Sequence, residues 1–196
     1  MYKLGITGGI GSGKSTASKF FKKNGATIFN ADKESKKHLK HTRILQNRII
    51  EAFGQKIVES NKLSIKKLAE VAFLSKIDQN ILNGLMWPEV FILVDKAMGE
   101  ARSKGAKLFV VDAAMIFEAN FEYMFDTTLL ILTKKNIRLN RALKRKNLHL
   151  EQIQNRMSLQ MSEAEKKRKA NYVISNDGTE EKFLKKMNDF FKSLNI

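Results

Sequence analysis

Short runs of consecutive apolar residues alternate along this chain with longer stretches in which apolar residues recur every three or four positions. Residues 2 to 7 (Tyr-Lys-Leu-Gly-Ile-Thr) read as a buried strand, and Lys14 to Asn24 as a helix that turns Phe20 and Phe21 inward and stops at Gly25. Ala26 to Phe29 is a second apolar strand, followed by polar helical sequence and by a helix from Ile44 to Phe53 that Gly54 ends. Ser64 caps a helix carrying Leu68, Val71 and Ala72, and Pro88 sets the first turn of another that runs from Val90 to Arg102. Leu108 to Val111, ending at Asp112, and Thr127 to Leu132 are further buried strands. The pattern then predicts two long polar helices, roughly 134 to 146 and 150 to 169, the strand Tyr172 to Ser175, and a closing helix whose Phe183, Met187, Phe190 and Phe191 belong to the core.

Five short strands separated by helices predict an α/β fold of three layers. The sheet is parallel and covered on both faces, because right-handed crossovers place helices there. Ligands in such folds bind beyond the carboxyl ends of the strands. The glycine-rich turn after the first strand and Asp112 after the third both fall on that edge.

That turn carries the most specific chemistry in the chain. Gly8-Gly-Ile-Gly-Ser-Gly13-Lys14-Ser15-Thr16 satisfies the Gly-x-x-x-x-Gly-Lys-Ser/Thr pattern of a phosphate loop, with a strand before it and a helix after it. Gly9, Gly11, Ser12 and Gly13 let the backbone aim successive N–H groups at a phosphate, and the helix adds its N-terminal dipole. Lys14 is expected to reach the β- and γ-phosphates of ATP, Ser15 to ligate Mg²⁺, and Thr16 to bond the α-phosphate. Asp112, at a strand end, is the candidate carboxylate that holds the magnesium shell, and an acid there also suits a loop start or helix cap.

Composition changes this picture little. The 196 residues suffice for one core, there is no cysteine for a disulfide or thiolate site, and no apolar run approaches the ~20 residues of a membrane span. The N-terminus turns glycine-rich before an apolar stretch could serve a signal peptide, so the expectation is a soluble, cytoplasmic protein without membrane contact. Net charge is +16, but the lysines are spread along the chain rather than gathered into a track, so no specific nucleic-acid partner is expected. Only Arg138, Arg141, Lys144, Arg145 and Lys146 are dense enough to suggest an anion site, the alternative being a solvated basic helix. His38, His41 and His149 lack metal-ligand spacing and read as surface residues. A guanine-nucleotide switch is excluded by its missing Asn-Lys-x-Asp motif, since the Asn61-Lys62 pair is followed by Leu63-Ser64.

The ordered series of motifs resembles the dephospho-CoA kinase family over nearly the whole chain. It comprises Thr7 to Ser15 of the loop, Ala31-Asp32, Phe53-Gly54, Leu82-Asn83, the segment from Asp112 to Phe117-Glu118, Arg141 and Arg145, Arg156 with Gln160, and Asn176-Asp-Gly178. The resemblance implies a P-loop kinase domain spanning 1–196, with a core of about 1–30, 105–133 and 170–196, a helical acceptor-site region of about 35–104 and an arginine-bearing lid of about 134–165. It implies transfer of the γ-phosphoryl group of ATP to the ribose 3′-hydroxyl of dephospho-CoA, by a monomer or weak homo-oligomer. Asp32 would be the base or orienting group, and Arg141 and Arg145, four apart on one helix face, would grip phosphate oxygens. Judged alone, Asp32 serves equally well as a helix N-cap. The chain departs from the family pattern at Asn30, Ile65, Trp87, Ala114 to Ile116 and Asn171, mostly on the acceptor side, and a nucleoside or nucleotide kinase with another acceptor is the alternative.

Overall fold

The five apolar runs pair side by side in one parallel sheet. The computed structural model describes residues 1–145 and 149–196. In chain order the elements are β1 (Tyr2–Thr7), α1 (Lys14–Lys23), β2 (Thr27–Asn30), α2 (Ala31–His41), α3 (Arg43–Phe53), β3 (Val58–Glu59), β4 (Lys62–Leu63), α4 (Ile65–Ala72) and α5 (Lys76–Ser103). There follow β5 (Leu108–Asp112), β6 (Thr127–Leu132), α6 (Lys135–Lys144), α7 (Leu150–Ser158), α8 (Glu163–Lys169), β7 (Tyr172–Ser175) and α9 (Glu180–Ser193). The sheet order is β2-β5-β1-β6-β7, so β1 lies centrally and its two neighbours come from later in the chain. The turn leaving β1 therefore opens into the crevice where crossovers diverge to opposite faces.

Alternation along the strands divides the core. Leu4 and Ile6 of β1 and Leu108 and Val110 of β5 meet Phe21, Phe183, Met187 and Phe190 from α1 and α9. Phe109 and Val111 point the other way, onto Val94, Met98 and Ala101 of α5 and onto Ile116, Phe117 and Phe125. A third cluster, Leu39, Leu45, Ile49, Phe53, Ile57, Leu68 and Ala72, is built by the helices between β2 and β5. The register pairs Ile6 and Asn30 with Asp112 from either side, which brings three strand ends to one level at the carboxyl edge.

Four of the elements differ from the sequence expectations. Pro88 does not begin a helix; it lies within α5, which runs 28 residues. Its missing N–H would have served the carbonyl of Gly84, and both residues are exposed, so water can take that carbonyl. Tertiary packing holds both halves of α5: Leu82, Leu85 and Met86 sit on the helical cluster, and Val90, Val94 and Met98 on the sheet. The stretch 150–169 is two helices, because Ser162 and Glu165 form a capping box that starts α8. The predicted helix 134–146 ends at Lys144, and Lys146 lies outside the described residues. The hairpin β3–β4 was unanticipated; Ser60 and Asn61 both take positive φ, as a tight two-residue turn requires.

His38 also differs from a plain surface residue, for its Nε2 lies 2.9 Å from Glu89 Oε2 in a partly buried contact between α2 and α5. Among the described residues no group of three or more His, Cys, Asp or Glu is placed to hold a metal, and no helix is long and apolar enough to cross a membrane.

Candidate active site

The glycine turn delivers an uncapped helix start. Gly13 precedes α1 in the left-handed region (φ 104°), no side chain caps the helix, and its first turn holds no acid. The N–H groups there are thus left for an external anion. Glycine is also required by close approach. A Cβ on Gly9 would overlap the Arg138 guanidinium, one on Gly11 (φ 79°) the Arg138 backbone, and one on Gly13 the Asn176 amide. Lys14 folds back over the turn, its Nζ donating to Gly8 O at 3.0 Å. Ser12 is 1% exposed and its carbonyl accepts from Thr133 Oγ1 and Asn176 Nδ2, which anchors the loop to the ends of β6 and β7.

Beside the loop stands Asp112, 3% exposed at the end of β5. Its Oδ2 accepts from Ser18 Oγ at 2.8 Å and from Asn30 Nδ2 at 3.2 Å. Burial pushes its pKa up, the Lys14 charge and the Ser18 hydrogen bond oppose this, and the Asp32 charge raises it further. Lys14 and Asp32 therefore both lie near enough to act on Asp112 at the carboxyl edge. Asp32 itself is exposed, in the first turn of α2, and the capping role falls to Asn30, whose side chain accepts from Lys33 N. The Asp112 carboxylate at the end of β5 and the exposed Ser15 hydroxyl in the first turn of α1 are hard-oxygen donors of the kind Mg²⁺ takes. With so few protein donors the ion would share its shell with substrate phosphate and water.

On the other flank, Gly11, Gly13, Thr16, Arg141 and Arg145 line a cavity of about 300 Å³ together with Asn176 and Glu180. Arg141 is partly buried and its Nη1 donates to Asn176 O at 3.0 Å; Arg145 is exposed at the end of α6. The sequence-predicted residues thus divide into a loop, a carboxylate flank with Asp32 and Asp112, and a cationic flank with Arg141 and Arg145.

Sequence reasoning missed the supports. Arg138 is not a solvated member of a basic cluster: it is 8% exposed, its Nε donates to Thr133 O at 3.1 Å, and its Nη2 pairs with Glu163 Oε1 at 3.0 Å. Its place three residues before Arg141, on the same helix face, was the available signal. Lys166 and Glu118 form a buried pair at 2.8 Å, with side chains 2% and 6% exposed, and Lys166 Nζ also donates to Ala114 O just beyond Asp112. Lysine in a run of five consecutive charges gave no hint of burial.

A family model described as dephospho-CoA kinase matches residues 2–182. The chain belongs to the dephospho-CoA kinase family. A dephospho-CoA kinase of Salinibacter ruber is 35% identical over 180 residues, covering 91% of this chain and 90% of its own. A crystal structure from Thermus thermophilus is 26% identical with a TM-score of 0.79 and covers 98% of this chain and 95% of that one. A dephospho-CoA kinase structure from Campylobacter jejuni is 25% identical, TM-score 0.68, covering 98% and 96%. Three of the departures from the dephospho-CoA kinase pattern, at Asn30, Ile65 and Asn171, have defined places. Asn30 bonds Asp112, and Ile65 packs in the helical cluster. Asn171 lies just before β7, at the amino edge, where its Oδ1 accepts from both Thr128 N and Thr128 Oγ1, so it is not on the acceptor side.

Proposed function

We propose that this chain transfers the γ-phosphoryl group of ATP to the ribose 3′-hydroxyl of dephospho-CoA, giving coenzyme A and ADP as the last step of coenzyme A biosynthesis. The observation that carries this beyond family membership is the uncapped glycine-only helix start, flanked on one side by interacting carboxylates and on the other by an arginine-lined cavity.

Amides of Gly9, Gly11, Ser12 and Gly13 receive the phosphate chain, Lys14 leaves Gly8 O to meet the β- and γ-phosphates, and Thr16 takes the α-phosphate. Ser15 and Asp112 would hold Mg²⁺, which would supply positive charge against the phosphate oxygens. Asp32, exposed at the mouth of the carboxylate flank, accepts the acceptor's hydroxyl proton and orients its oxygen for in-line attack. Arg141 and Arg145 close from the opposite flank as part of a lid over residues 134–165 and exclude water. The helical region 35–104 receives the acceptor. Positioning and charge neutralisation do most of the chemistry, because phosphoryl transfer has a loose transition state. The same reading gives a cytoplasmic enzyme, monomeric or weakly homo-oligomeric.

An ADP-release assay with dephospho-CoA beside adenosine, AMP, CMP and pantothenate tests the acceptor. Turnover with dephospho-CoA alone is expected, whereas turnover confined to a nucleoside or nucleotide would move the assignment to a kinase of that class.

A further inference from the structure

The two buried cations among the described residues meet carboxylates, Lys166 with Glu118 and Arg138 with Glu163, whereas the partly buried Lys14 and Arg141 of the candidate site have only backbone carbonyls as partners. Arg156, on α7, resembles the latter two in lacking a carboxylate. It is partly buried, and burial lowers its pKa with no neighbouring charge to hold it up. Among the described residues its side chain makes no ion pair and no hydrogen bond. Its guanidinium carbon lies over the ring of Phe73, just past α4, 4.4 Å from the ring centroid. A cation–π contact uses none of the five N–H donors in a hydrogen bond to oxygen. A partly buried cation with no oxyanion partner is available to take one, and the oxygens of a phosphate match its planar fork.

Its position fits that ligand. Gln160, four residues on, accepts at Oε1 from Ile10 N of the glycine turn at 3.4 Å. Leu159 O accepts from Lys76 Nζ at 2.9 Å, at the start of α5. The end of α7 therefore bridges the phosphate loop to the helices between β2 and β5. Arg156 and Phe73 stand on that bridge, while Arg141 lines the cavity on the cationic flank. A further unsatisfied donor, the buried Nδ2 of Asn83, is one helical turn along α5 from Gln79, which itself bonds Lys76.

We infer that Arg156 is a further catalytic residue, holding the oxygens of the phosphoryl group as it passes from the loop to the acceptor. The inference rests on the phosphotransfer reading above. In that step the acceptor oxygen bonds to the γ-phosphorus as the bond from that phosphorus to the β–γ bridging oxygen breaks. ADP leaves with the electron pair and the hydroxyl proton goes to Asp32. Arg156 donates hydrogen bonds to the equatorial oxygens and loses no proton. Such a contact strengthens as charge spreads over those oxygens, so its loss belongs in kcat.

The test is steady-state kinetics of Arg156→Ala and Arg156→Lys beside the wild-type chain, with Mg²⁺, ATP and dephospho-CoA. The alanine variant is expected to lose about a hundredfold or more in kcat, with each KM within about threefold of wild type. Added guanidinium ion should restore part of its rate, which a purely structural role would not allow. The lysine variant, keeping charge but not the fork, should fall between. A kcat within about twofold of wild type, or a raised KM with kcat retained, overturns the inference and leaves the kinase reading standing. Should the alanine variant fail to fold by circular dichroism, the lysine variant decides by the same kcat criterion. A wild-type chain with no turnover on dephospho-CoA would overturn both.

Discussion

Asp112 shows how one residue can serve chemistry at the expense of stability. Its strand-end position was readable from the run Leu108-Phe-Val-Val, but its electrostatic state was not, since that depends on Ser18, Asn30, Lys14 and Asp32 arriving from three other elements. With its folded pKa above the ordinary 3.8, the native state binds this proton more tightly than the unfolded chain does. Stability from the group is therefore full below the unfolded pKa and declines as pH rises through the folded one. Asp112→Asn removes that decline. Urea denaturation should find the variant more stable than wild type at neutral pH and the difference closing in acid, while kcat falls by about two orders of magnitude for want of the charge. A variant less stable than wild type at neutral pH would show that the carboxylate is satisfied as an ion. Arg138 and Arg141 teach the complementary lesson: three residues apart and equally basic in sequence, one pairs with Glu163 under the loop and the other lines the cavity.

At the scale of elements, α8 is tied to the loop after β5 by the Lys166–Glu118 pair. Burial pushes the Lys166 ammonium pKa down, Glu118 holds it up by charge and hydrogen bond, and the nearby Lys14 and Arg138 charges lower it again. Removing one partner strands a buried charge. Lys166→Met should therefore lose about 3–5 kcal/mol in urea denaturation, whereas Lys166→Met with Glu118→Leu should recover most of it. Simple additivity of the two losses would mean the pair is not a coupled unit. Strands and the first and last helices were legible because their apolar periods are set locally. The single α5 was not, because Pro88 is a local breaker that packing against two separate clusters overrides. The break before α8 was written in Ser162 and Glu165, yet polar sequence on both sides offered no apolar period to mark it.

For the whole molecule, the +16 charge favours polyanionic substrates in general, and the folded arrangement gives that attraction a place. Mg²⁺ with ATP should raise the melting temperature of the wild-type chain, by an amount equivalent to about 2.7 kcal/mol at a hundred times the Kd. Lys14→Ala should keep the unliganded melting temperature but lose this response and turnover together. A normal shift in that variant would place the nucleotide elsewhere.

The sequence by itself determined the alternation of strand and helix, the glycine turn with Lys14 to Thr16, and the family. Each is carried by contiguous residues whose period or spacing is a local property. Only the tertiary structure decided which charges are spent on the fold and which are left for a ligand. Lys166 and Arg138 meet carboxylates 48 and 25 residues away in the chain, while Arg156 meets an aromatic ring and no acid. That partition follows from distance and burial in three dimensions, which no linear pattern of residue types encodes.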